Sequence, residues 1–110
     1  MTAAEPTDDA RFWQGHVAAG REAEHEQFLT WLNSAEAHEL FRRRRLREYA
    51  LAQDDEMLTV VFKVPHTGDP RVVIDFLRYP GLWPDFWQYE RGGVWDGPDL
   101  IAPRVFWRQG

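Results

Sequence analysis

The sequence predicts an α+β domain of ferredoxin-like βαββαβ order, an antiparallel sheet with helices on one face. Three observations carry this. Extended apolar segments alternate with segments of helical spacing, two of the extended segments are adjacent and separated only by Gln53-Asp54-Asp55-Glu56, and a last aromatic segment, Arg104 to Arg108, closes the chain. In order, Arg11 to Ala18 carries apolar residues on both faces, as in a covered strand. Gly20 opens an amphipathic helix with Ala23, Phe28, Trp31, Leu32 and Ala35 near helical spacing and Glu22, Glu24 and Glu26 at its positive end. Asn33 and Ser34 are cap-type residues that break it, and Ala35 to Phe41 forms a further short turn of helix. Leu46 to Ala52 and Leu58 to Val64 form a hairpin. Asp69 at an N-cap and Pro70 at the first helical position begin a second helix with Val73, Phe76 and Leu77 on one face. Tyr79-Pro80-Gly81 stops it, and Trp83-Pro84-Asp85-Phe86-Trp87 restarts a short helix that Gly92-Gly93 ends.

A chain of 110 residues is one domain. Residues 1–10 read as a disordered acidic tail and residues 11–110 as the single folded domain. With 44% hydrophobic residues, six Trp, seven Phe and three Tyr, the chain has enough apolar side chain to fold. A domain this small gains from burying a second surface, and the helix-free face of the sheet is left bare, so two copies are expected to close sheet to sheet as a dimeric α+β barrel with internal cavities. The absence of cysteine excludes disulfides, thiolate nucleophiles and zinc-thiolate or iron–sulfur sites. No apolar run reaches membrane-spanning length and the acidic start is unlike a signal peptide, so a soluble, cytoplasmic protein without a membrane partner is expected. The net charge of −5 argues against nucleic acid as a partner, although five arginines gather in Arg42-Arg43-Arg44-Arg45-Leu46-Arg47.

The C-terminal run Trp95-Asp96-Gly97-Pro98, followed by Ala102, Arg104, Phe106, Trp107 and Arg108, resembles the end of the polyketide synthesis cyclases, the tetracenomycin-type aromatic polyketide cyclases. Val17-Ala18-Ala19-Gly20, Leu40 to Leu51 and Tyr79-Pro80-Gly81 fall in the same order as further parts of that family. The resemblance implies a small dimeric α+β barrel that folds a poly-β-ketone, or a partly cyclised one, and directs ring closure with no metal and no organic cofactor. It also implies a histidine near His38 or Glu39 and an arginine at Arg44 or Arg45, whereas Val60 stands where the family places a strand histidine.

Ring closure needs a proton taken from carbon between carbonyls, an enolate oxygen stabilised and a proton supplied to a leaving hydroxyl. His16 on the first strand, His38 after the first helix and His66 in the loop before the second helix are the candidate acids and bases, and Arg45 is the candidate clamp for an enolate. His25, among Glu24, Glu26 and Gln27, is expected at the surface. Strand alternation sends Arg45, Arg47, Tyr49 and Leu51 to one face. Trp13, Gln14, Arg47, Tyr49, Val60, Phe62 and Trp107 are candidate walls of the substrate cavity, with Trp83 and Trp87, beside Tyr89, as its lid. A cofactor-independent antibiotic-biosynthesis-type monooxygenase, a non-catalytic aromatic-ligand carrier and, more remotely, a haem-binding barrel share this frame.

Overall fold

The computed structural model describes residues 9–65 and 84–109. They form an α+β protein in the element order β1 (Asp9–Val17), α1 (Glu22–Leu32), α2 (Ala35–Arg43), β2 (Glu48–Asp54), β3 (Met57–Val64), β4 (Trp87–Val94) and β5 (Val105–Arg108). All strand pairings are antiparallel, and the sheet order is β4-β1-β3-β2-β5. The first four of these, β4-β1-β3-β2, are compatible with a ferredoxin-like sheet. The second helix expected from Asp69 lies outside the described residues.

Two expectations about the C-terminal third are corrected. The short helix expected over Trp83–Trp87 is not formed by its described part: Asp85 and Phe86 lie in a turn, and Trp87 begins β4, which pairs along β1 from Val17↔Trp87 to Arg11↔Val94. Trp87 and Tyr89 alternate with Gln88 and Glu90, the strand period, and this outweighs the helix-starting tendency of Pro84. The final segment is therefore a fifth strand rather than the fourth, and it pairs with β2 at the opposite edge, Tyr49↔Trp107 and Leu51↔Val105.

Moving from the β4 edge to the β5 edge requires the connecting segment to cross the sheet, and the helices occupy one side. It crosses the other. Trp95 donates its backbone N–H to the Ala10 carbonyl at 2.9 Å and packs edge-on against Phe12, while Leu100 and Pro103 stand over Ala50 and Val61. The helix-free face expected to be bare is thus partly covered by the chain's own strap, and Ala50 and Val61 are buried beneath it.

The core lies between the sheet and the two helices. Tyr49 and Leu51 of β2, Leu58, Val60, Phe62 and Val64 of β3, Trp87, and Val105 and Trp107 of β5 pack against Leu29, Leu32, Ala37 and Phe41. Ser34 caps α2, its Oγ accepting from the Ala37 N–H at 3.2 Å. The other end of α2 closes with Arg45 N–H on the Arg42 carbonyl and Leu46 N–H on the Phe41 carbonyl, both 3.0 Å, a Schellman motif sealed by the buried Phe41–Leu46 pair. Arg45 takes the left-handed position of that motif, φ 63°, where glycine is usual.

Candidate functional site

On the helix side of the sheet, α2 lays an aromatic stack over β2 and β5. The Phe41 ring lies parallel to Tyr49, with centroids 4.7 Å apart, and His38, one turn earlier in α2, stacks on the same ring at 6.0 Å. Trp107 tilts against both Phe41 and His38. Two polar atoms in this stack, the Tyr49 hydroxyl and His38 Nε2, are buried without a hydrogen-bond partner among the described residues. Buried phenols and imidazoles nearly always find partners, since an unsatisfied group costs about 1–3 kcal/mol, so these two atoms are exceptions that call for an explanation. Burial also pushes the Tyr49 phenol far above its ordinary range, which keeps it a neutral O–H donor.

A second polar cluster lies on the same side. His25 is 2% exposed, not at the surface as expected. Its Nδ1 accepts from the indole N–H of Trp87 at 3.0 Å, which places its own proton on Nε2, 2.9 Å from Gln53 Oε1. The same Gln53 oxygen accepts from Arg104 Nη1 at 2.8 Å, and Arg104 makes a two-pronged pair with Glu26. This chain ties α1, β2, β4 and the end of the strap together with both imidazole nitrogens occupied. Sequence reasoning missed it, yet the signal was present: His25, Phe28, Leu29 and Leu32 stand at the i, i+3, i+4, i+7 spacing of one buried helix face.

The opposite face of the sheet carries a different set. His16 Nδ1 lies 2.7 Å from Glu90 Oε1, Gln14 donates to Thr59 at 3.2 Å, and Arg91 donates to Gln14. Beneath the strap, Glu48 is 5% exposed and receives Arg108 (2.8 and 2.6 Å) and Lys63 (3.1 Å), at the edge of a cleft of about 180 Å³. Burial pushes the Glu48 carboxyl up, but the hydrogen bonds from Arg108 and Lys63 outweigh it and hold the carboxyl below the ordinary range.

The candidate residues therefore divide. His38, Tyr49, Val60, Phe62, Trp87 and Trp107 share the helix side, with Trp13 half-buried beside Phe62 and Tyr89. His16 and Gln14 face the other side, and the sheet separates them from His38. Arg45 does not continue the alternation of Tyr49 and Leu51, whereas Arg47 does, its backbone N–H on the Lys63 carbonyl and its carbonyl accepting from the Gln109 N–H. β2 begins only at Glu48, so Arg45 is exposed at the end of α2, and Arg47 is exposed and donates to Gln109 at 3.0 Å. His66 and Trp83 lie outside the described residues. Among the described residues no group of three or more histidine or acidic side chains is placed to hold a metal ion, and no helix is long and apolar enough to cross a membrane. No family model, curated protein or solved structure matches the chain.

Proposed function

We propose that the protein is an aromatic polyketide cyclase whose site is the helix-side aromatic stack. The observation that carries this reading is the pair of buried polar atoms without a hydrogen-bond partner among the described residues, Tyr49 Oη and His38 Nε2, set among the rings of Phe41 and Trp107. Aromatic walls hold one conformation of a folded poly-β-ketone, and holding a reactive conformer supplies much of the acceleration of an intramolecular reaction. With its proton on Nδ1, His38 takes a proton at Nε2 from the methylene between two carbonyls. The enolate carbon then attacks a ketone carbon further along the chain, a C–C bond forms, and the new alkoxide recovers the proton from His38. Tyr49 donates to the oxygen on which negative charge develops. Loss of the hydroxyl as water, where it occurs, restores conjugation. The C-terminal resemblance around Trp95 to Arg108 supports the same class.

A homodimer of ferredoxin-like protomers, closed through the helix-free faces, belongs to this proposal. Phe106 is 48% and Ile101 91% exposed, on β5 and on the strap, and a second copy would cover them.

The test is incubation of the purified protein with a linear or partly cyclised poly-β-ketone while product mass and dissolved oxygen are followed together. A product of equal mass, or lighter by one water, without oxygen uptake supports the cyclase. Oxygen incorporation supports the monooxygenase instead, and tight binding without turnover supports a carrier.

A further inference from the structure

Five of the chain's twelve arginines fall within residues 42–47, and the fold gathers them where α2 ends and β2 begins. The same end of the sheet holds Lys63 and Arg108, opposite Glu48 in the strand register, whereas the β2–β3 turn at the far end is Asp54-Asp55-Glu56. A chain of net charge −5 therefore carries a concentrated positive end. Within it, Arg42 and Arg43 pair with Glu39, at 2.5 and 3.5 Å, and remain 56% and 74% exposed in their side chains, so each keeps N–H groups directed at solvent. Arg45 is exposed as well.

Two further features separate this end from an ordinary solvated charge run. Arg45 occupies the left-handed position of the α2 C-cap, φ 63°, where a side chain is strained and glycine is favoured. The residue at that position is nonetheless an arginine. Directly beside the cluster, Trp31 of α1 and Leu40 of α2, both half-buried, form the floor of an open groove of about 280 Å³ whose rim is Glu36, Glu39 and Arg43.

We propose that this end of the molecule is a docking surface for an acidic amphipathic helix of a partner protein. The apolar residues of that helix enter the groove over Trp31 and Leu40, and its carboxylates meet the guanidiniums of Arg42, Arg43 and Arg45. The apolar floor is what selects a protein helix over a nucleic acid: a phosphate backbone uses the arginines but has no use for a Trp–Leu groove, and the acidic remainder of the chain repels an extended polyanion. Arginine rather than lysine at every position of the cluster suits the two-pronged recognition of carboxylates. The surface lies outside the aromatic stack, so the proposal stands independently of the reaction assigned to it.

The test uses the full chain and a labelled helical peptide with Leu along one face and Glu along its flanks. A scrambled peptide of identical composition and a single-stranded oligonucleotide of equal charge are the comparators, all read by fluorescence anisotropy at ~0.15 M salt, where long-range attraction is screened. The helical peptide is expected to bind more tightly than either comparator and to lose about tenfold in affinity with Arg43→Glu and again with Arg45→Glu, as for charge-assisted contacts at an interface. Arg45→Gly gives the complementary readout, melting at a higher temperature than the natural protein while binding the peptide more weakly. Equal binding of the scrambled peptide, tighter binding of the oligonucleotide, no binding of the helical peptide, or an Arg45→Gly protein that binds as well as its parent would each overturn the proposal.

Discussion

At the scale of single residues, the Tyr49 hydroxyl separates stability from activity. It is buried and has no hydrogen-bond partner among the described residues, so its desolvation is not offset by a hydrogen bond from any of them. Tyr49→Phe keeps the ring stacked on Phe41 and is expected to leave stability unchanged or raise it by about 1 kcal/mol in denaturant titrations, while lowering cyclisation turnover about 10²-fold. A variant equally active would remove Tyr49 from the proposed chemistry. Gly15 is the opposite case, a residue with no chemistry and no tolerance. It stands at the register shift between β1 and β4, and a Cβ there would lie 2.2 Å from the Gln88 carbonyl oxygen, a backbone atom that cannot swing aside. Gly15→Ala is expected to cost about 2–3 kcal/mol, in the range of overpacking with backbone displacement, and to weaken β4 first, visible as faster amide exchange across Trp87–Val94.

At the scale of elements, α1 and β2 show what the sequence made legible and what it hid. The hairpin of β2 and β3 was readable because alternation and a polar turn are local signals; Asp55, with φ 53°, supplies the left-handed turn residue that aspartate tolerates. β4 was hidden because its partner, β1, lies some seventy residues away in sequence, and Pro84 followed by an aromatic cluster reads locally as a helix start. His25 was hidden by its neighbours Glu24 and Glu26, although helical periodicity alone turns it inward. Of the proposed site, His38, Tyr49 and Trp107 were candidates from sequence, but that His16 lies across the sheet from them follows only from register. The cross-strand group of Glu48 with Lys63 and Arg108 carries its own prediction. The carboxyl is held below its ordinary range in the folded protein, so the folded state binds its proton less readily than the unfolded chain. The stability it contributes is complete above the unfolded value near 4.5 and is lost as pH falls through the lower folded value. Melting temperatures of the natural protein and of Glu48→Gln should therefore differ at neutral pH, with the natural protein the more stable, and converge as pH falls below 4.5 through the lower folded value. A constant difference down to pH 2 would mean that the ionised carboxylate contributes nothing.

At the scale of the whole molecule, the route of the strap governs what the helix-free face can do. Had β5 joined the sheet beside β4, none of the described segments would have crossed that face. Because β5 lies beside β2, the segment from Trp95 to Arg104 crosses the sheet and buries Ala50 and Val61, while Phe106 and Ile101 are among the described apolar residues that remain in water. Apolar side chains exposed on the same face as a buried, fully paired Glu48 make a surface that a second copy can cover without stranding a charge, since the carboxylate already has Lys63 and Arg108. Pairing through this face would leave the aromatic stack of His38, Phe41, Tyr49 and Trp107 inside each protomer, behind its own sheet, so the proposed assembly and the proposed chemistry would occupy opposite sides. Phe106→Asp is then expected to yield a folded monomer in sedimentation, because Phe106 is nearly half exposed and its loss opens no cavity in the core. The melting temperature of the natural protein should rise with protein concentration while that of the variant stays constant, as mass action requires when only the folded chain self-associates. A natural protein that sediments as a monomer at high concentration would remove the dimer from the proposal.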